Sequence, residues 1–589
     1  YKKPRIRFYE AAKHIEGKST YSLKFLGKEI DDDNSPFVDL TNNEPFNEPN
    51  SGKLFFDPGE LISFSYDKIL DYFEGQWLPI PIFRTVDEIH IEKKRYRQGP
   101  SDWCRIFISK TGDGTFHALM AFDTNVQKVS DIFKAESEKK YAAITPQDSE
   151  EEGEFCFVSD VRDNFWFLNL PWVNDWLKDI EKSKISKNTS ENKFDYLSKY
   201  CCLIELLGRT NKIPFFRLLN ISSREPINVD LVLDIGNARS VGMLIERRPG
   251  QNFNLSDGST LEIRDLSDPK TVYKNKFNSY VTFSRTSFGD RSNHTRRAGR
   301  IIPGFRWPSV VRVGQEAIRL SSMSSKNIGP TSISSPKRYL WDLIGRPRGE
   351  HWQYSPEPSN PHSGEPTVTQ GDFIGFVSNE GCPLEIRDRR QYPHKSIFDT
   401  NLPHAVTDSR FSRSSMMMFL ISEIVAHALV QLNSPIKRNE RQSPDRPRRL
   451  NKIIFTTPPA MSVTEKNIFI SWAHAAIDIL WKTYEWENIS QHDNDYRKKP
   501  EIVFNLDEAS ATQLVFLYNE IQRKFSGNTD QFFKLYGKKR TKDDRESLRI
   551  ASVDIGGGTT DMVITSFQNR SENVTSILQP RQEFRESFN

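Results

Sequence analysis

The sequence predicts an α/β fold from residue 226 onward, preceded by an α+β domain over residues 1–225. Two observations carry that prediction. The strings Asp234-Ile235-Gly236 and Asp554-Ile555-Gly556, 320 positions apart (554 minus 234), each close a short apolar strand and lead into a second one. Between them, short β-branched runs alternate with stretches whose apolar residues recur at helical spacing, which is the pattern of strands joined by helices.

The first part reads as mixed α and β. Ile106-Phe107-Ile108 and Phe116 to Met120 flank the turn Gly112-Asp113-Gly114 and predict a hairpin. Pro171 to Leu177 opens a short amphipathic helix, and the charged, Ser-containing stretches 148–154 and 181–192 read as surface loops. Gly17-Lys18-Ser19-Thr20 resembles the end of a phosphate-binding P-loop. Ala12 stands where that motif needs its first glycine, so the segment reads as a loop.

The second part begins with strand, tight turn and strand over 228–246. Residues 355–367 form a Pro/Ser/Gly loop, and 412–432 predict a helix whose Met416-Met417-Met418 fills core. Residues 433–449 carry six Lys/Arg against two acids and read as a solvated insertion, with partner docking through 437–449 as the minority reading. Lys452 to Pro458 is a strand. Ser462 with Glu465 is a capping box, opening a helix that buries Ile468, Trp472, Ala475 and Ile479. Glu501 to Asn505 is a strand, Asp507 caps the helix that follows, and 550–564 repeat strand, turn and strand.

Composition narrows the function. The 82 basic and 78 acidic residues leave +4, too small a surplus for a chain-wide nucleic-acid surface. The most apolar stretch, 416–432, is interrupted by Glu423 and His427, so no membrane span is expected. Five cysteines without CxxC spacing do not form a disulfide scaffold, and the adjacent Cys201 and Cys202 read as buried thiols. A cytoplasmic protein is the expectation. The 11 histidines show no HxxxH pairing, which disfavours a zinc enzyme.

The repeated Asp-Ile-Gly hairpins carry the chemistry. Glycine lets a backbone approach a phosphate closely, successive amides form an anion-binding concavity, and the strand-end carboxylate is placed to hold Mg²⁺ through its waters. Asp554 with Gly556, Gly557, Gly558, Thr559 and Thr560 resembles the second phosphate loop of the actin-like ATPase superfamily, close to its Hsp70 form. Asp234, Gly236, Asn237, Ala238 and Arg239 resemble the first loop. Asn278 to Phe283, Val313 to Ala317, Ser335 to Leu340, Ile453 to Ala460 and Asp507 to Thr512 resemble intermediate segments in the same order, covering roughly 228–567.

The resemblance implies an actin-like (ribonuclease H-like) ATPase fold, with a first lobe over 226–549 and a second lobe beginning at 550–589. It implies ATP with Mg²⁺ organised by Asp234 and Asp554, with Lys337 at the γ-phosphate and Glu508 near the attacking water. Asn237 and Ala238 replace hydroxyl residues common in Hsp70, so binding is a firmer expectation than fast hydrolysis. An ATP-driven switch acting on a protein partner is expected, with a pseudo-ATPase scaffold or a polymerising actin homologue as alternatives. The long N-terminal region before such a domain is similar to bacterial SrfB-type virulence proteins. The chain is expected to continue beyond Asn589 into the rest of the second lobe.

Overall fold

The protein is described from a computed structural model. It describes residues 8–15, 18–26, 61–86, 95–97, 103–123, 154–157, 165–168, 170–184, 195–209, 213, 216–217, 224–247, 258–286, 288–289, 305, 307–324, 330–356, 367–384, 406–459, 461–489, 495–539, 546–555, 560–570 and 573–577. The chain divides into two units, one of residues 1–220 with 268–270 and 287–306, the other of the remainder.

In the first unit the predicted hairpin forms from Cys104–Lys110 and Phe116–Phe122, antiparallel, with Trp77–Pro79 on its other edge. Its core gathers Trp103, Trp172, Trp176 and Tyr200 from the hairpin and two helices, Pro171–Lys184 and Asp195–Arg209. The guanidinium of Arg105 lies over the rings of Trp176 and Phe305, at 4.5 and 4.2 Å. Cys201 and Cys202 are buried free thiols, as expected. Two sequence readings are corrected here. Glu181 to Lys184 form the last turn of the helix Pro171–Lys184 rather than a loop, because Glu181 accepts from Tyr72 and pairs with Lys199 at 2.9 Å inside the fold. Lys18-Ser19-Thr20 open the strand Lys18–Leu26, paired antiparallel with Phe8–Ile15, not a loop. The 148–153 and 185–192 parts of the predicted loops lie outside the described residues.

The second unit is built on a sheet in the order Gly258–Thr260, Arg239–Arg247, Ile227–Ile235, Arg448–Thr457 and Glu501–Asp507. Ile227–Ile235 runs antiparallel to its hairpin partner and parallel to Arg448–Thr457, which is parallel to Glu501–Asp507. Val229, Leu231, Leu233 and Ile235 alternate into the core, as period-2 burial requires. The capping box of Ser462 and Glu465 opens the helix Val463–Thr483, whose Ile468, Trp472, Ala475 and Ile479 are all buried. A second, smaller sheet contains Glu546–Ile555 paired with Thr560–Arg570.

The helix Met416–Asn433 packs against Val463–Thr483 and is buried on nearly every side, including Met416, Met417 and Met418. Among the described residues it is the one helix long and apolar enough to cross a bilayer, and most of it lies inside this unit. Its single carboxylate, Glu423, is fully buried and accepts from Arg312 at 2.8 Å and Trp307 at 2.6 Å, with His427 at 3.2 Å. Burial alone would raise this carboxyl, but Arg312, His427 and Trp307 outweigh it and hold it at about 2.

The basic run is not the solvated insertion its composition predicts. Pro435–Asn439 is a short helix, and the charges meet acids on strands of this unit. Lys437 meets Glu262 at 2.9 Å, while Arg441 and Arg448 share Glu246 at 2.6 and 3.1 Å. The fully buried Arg448 also donates to the carbonyls of Gln442, Ser443 and Arg446, closing the turn that precedes its own strand. Most of the 355–367 loop lies outside the described residues.

One buried acid has a different fate from Glu423. Glu316, in the first turn of Gly314–Met323, accepts from the Ser267 amide at 2.9 Å. Desolvation pushes its carboxyl up to about 8; Arg312 opposes this, while Asp265 and Glu423 add to it. Asp265 is itself engaged by Arg319 and Tyr273, and Glu423 by Arg312 and His427. The folded chain therefore holds a proton between about pH 4.5 and 8 that the unfolded chain has released, and stability falls as pH rises through that window. Glu316→Gln removes that titration. Its unfolding free energy in denaturant titrations is expected to decline less between about pH 6 and 8 than that of the unaltered protein, by up to about 1.4 kcal/mol per pH unit. Parallel declines in both proteins would refute the assignment.

Candidate functional site

In a sheet with parallel strands, ligands collect outside the carboxyl ends of those strands, where chain leaves one strand for the next element. Three parallel strands of the second unit end together: Ile235 precedes Gly236, Thr457 precedes Pro458, and Asp507 caps the helix Glu508–Phe525. Asp507 accepts from the Ser510 amide at 2.7 Å, the cap its sequence predicts. At this edge the half-buried Asp234 accepts from the Thr456 hydroxyl on the neighbouring strand at 3.0 Å.

The turn after Asp234 is tight. The Gly236 amide donates to the Arg239 carbonyl at 3.1 Å, and a Cβ on Gly236 would stand 2.5 Å from that oxygen. Asn237 is half-buried, while Ala238 and Arg239 are exposed at the tip. Lys337 sits on a 3-10 turn, Pro336–Tyr339, in place of the longer helix that its resemblance implies. Its side chain is 6% exposed, and its ammonium reaches Glu508 Oε1 at 3.1 Å. Two residues 171 positions apart, predicted to serve one phosphate and one water, are thus neighbours.

The second Asp-Ile-Gly hairpin is described only in its strands. Asp554 stands opposite Asp561 and Ile555 opposite Thr560 in antiparallel register. Gly556, Gly557, Gly558 and Thr559 lie outside the described residues, as do the side chains of Asp554 and Thr560. The helix that begins at Glu508 packs on this hairpin: Gln513, 1% exposed, donates to Ser552 Oγ at 2.9 Å, two residues before Asp554.

Thr456 is the site residue that the sequence reading passed over. The signal available was a hydroxyl pair, Thr456-Thr457, at the last positions of an apolar strand ending in Pro458. Chemically, the edge offers a carboxylate fixed by a hydroxyl, a tight glycine turn, and a buried ammonium held by a carboxylate. Gly236→Ala is expected to cost about 1–3 kcal/mol, because the clashing atom is backbone and the turn must open. Gly112→Ala, which meets nothing within 4 Å, is the control. Equal denaturant midpoints for the two variants would contradict the packing argument.

Comparison with known proteins bears on the chain as a whole. No curated protein matches it. The family model described as virulence factor SrfB matches residues 6–589, nearly the full length, and spans both units. The chain therefore belongs to the SrfB virulence factor family.

Proposed function

We propose that the second unit binds ATP with Mg²⁺ and works as a nucleotide-driven conformational switch acting on a protein partner. The observation that supports this best is the convergence at one sheet edge of Asp234 with Thr456 and of Lys337 with Glu508. The residues suit the ligand. A tight glycine turn presents amides, a hydroxyl-fixed carboxylate stands at the strand end, and a nearly buried ammonium supplies positive charge.

In this reading Asp234, with Asp554 from the second hairpin, holds the hydrated cation, and the amides after Gly236 and Gly556 cradle phosphate oxygens. Mg²⁺, when bound, neutralises and orients those oxygens. With nucleotide bound, Lys337 would give up Glu508 to meet the γ-phosphate charge, and the Glu508 carboxylate would then be placed to orient a water. Because Glu508 opens the helix whose Gln513 grips the second hairpin, exchange of its partner is carried to that hairpin. Catalysis of this type is positioning and electrostatics, so small displacements matter.

A second reading, a nucleotide-binding scaffold without turnover, is favoured by Asn237 and Ala238, which lack the hydroxyls common at the first loop of Hsp70. ATP binding and single-turnover hydrolysis separate the two. Asp234→Ala is expected to weaken binding of magnesium ATP by about tenfold or more. Glu508→Ala is expected to bind ATP and hydrolyse it about a hundredfold more slowly. Binding with equal inertness of wild type and Glu508→Ala leaves the scaffold; no binding at all removes both.

A further inference from the structure

We infer that Ser279 is a positioning residue that locks the 236–240 turn to the turn presenting Lys337, so that both move as one unit. This rests on the nucleotide reading above for its ligand, but its geometry is independent of it.

Ser279 lies at the break between two short strands. Phe277–Asn278 pairs with Arg239 and Ser240 of the first sheet, whereas Tyr280–Phe283 pairs with Ser332–Ser334 of another. The chain changes sheets at this one residue. Three of its groups are engaged there, and it is only 3% exposed. Its hydroxyl donates to the Gly236 carbonyl at 2.6 Å, and its amide donates to the Ala238 carbonyl at 3.0 Å. Its carbonyl accepts from the Ser335 amide at 2.7 Å. The Ser240 hydroxyl, 1% exposed, stands 2.8 Å from the Ser279 hydroxyl. Since the Ser279 hydrogen is committed to Gly236, Ser240 is the donor of that pair.

The other end of the tie is strained. Ser335 has φ 54° and ψ 57°, a left-handed conformation that a residue with a Cβ adopts at a cost. The bond to Ser279 holds it there, and Lys337 follows two residues on. Without the tie, the Lys337 turn is free to relax away from the phosphate turn. Ser279 thus joins the turn proposed to cradle phosphate oxygens to the segment that presents Lys337.

Amide hydrogen exchange on the full chain tests the tie without nucleotide. Ser279→Ala removes the hydroxyl bond to Gly236 and keeps the backbone bonds to Ala238 and Ser335, so exchange is expected to quicken most over 236–240 and, as the anchored residue loosens, to a smaller extent over 333–340, while Met416–Asn433 keeps its protection. Ser240→Ala, which removes one of the two hydroxyls, is expected to affect the same two segments less, and decides the matter if Ser279→Ala does not fold. Quickening confined to 236–240, or spread equally over Met416–Asn433, would overturn the proposal.

Binding of magnesium ATP and magnesium ADP gives the second arm. Ser279→Ala is expected to lower the ATP-over-ADP preference about tenfold, with no further drop when combined with Lys337→Ala. Equal losses for both nucleotides, or additive effects with Lys337→Ala, would assign Ser279 a purely structural role. If the unaltered protein binds neither nucleotide, the ATP reading fails and the exchange measurement alone rules on Ser279.

Discussion

The second unit depends on one fully buried ion pair. An 18-residue helix can be enclosed on nearly all sides only if its polar groups are satisfied, and Met416–Asn433 carries Glu423 at its middle. Arg312 supplies the countercharge from the strand Val311–Val313, and Trp307 and His427 complete the shell. Removing one partner of such a pair costs about 3–5 kcal/mol, because the other is left charged in a dry interior. The pair also shapes its neighbourhood. Glu423, bonded to Arg312, stays ionised, while nearby Glu316 is pushed towards its neutral form first by desolvation and further by Asp265 and Glu423, against the pull of Arg312.

That core fixes the helix against which the sheet is laid, and the sheet in turn sets the candidate site. Parallel register brings the ends of three strands to one edge, and each end contributes something: Asp234 and Gly236, Thr456, and Asp507 with Glu508. None of these residues is distinctive alone. Their chemistry arises from shared location, which the strand order imposes.

What could be read from sequence was local. The Cys104–Phe122 hairpin followed from its Gly-Asp-Gly turn, and the helices at Ser462 and Asp507 from caps whose partners lie three residues away. Resemblance then ordered the segments around the Asp-Ile-Gly repeat, and the structure has strands, turns or the first turns of helices at those segments. What could not be read was long-range pairing. The basic run looked solvated because the acids it meets, Glu262 and Glu246, lie 175 to 202 positions away. Glu181 looked like loop because Lys199 and Tyr72, which draw it inward, are invisible to a window. Lys337, which the resemblance puts on a helix, lies on a single 3-10 turn that follows the left-handed Ser335.

The Asp234–Thr456 contact spans 222 positions, and this has a bearing on how the molecule comes into being. During synthesis the hairpin containing Asp234 emerges long before the strand that must lie beside it. Until that strand arrives, Ile227–Ile235 presents an apolar, unpaired edge, the kind that templates aggregation. Closing so long a loop also slows folding. The same parallel register that gathers the site at one edge therefore makes the birth of this protein a period of exposure, in which a chaperone has something to hold.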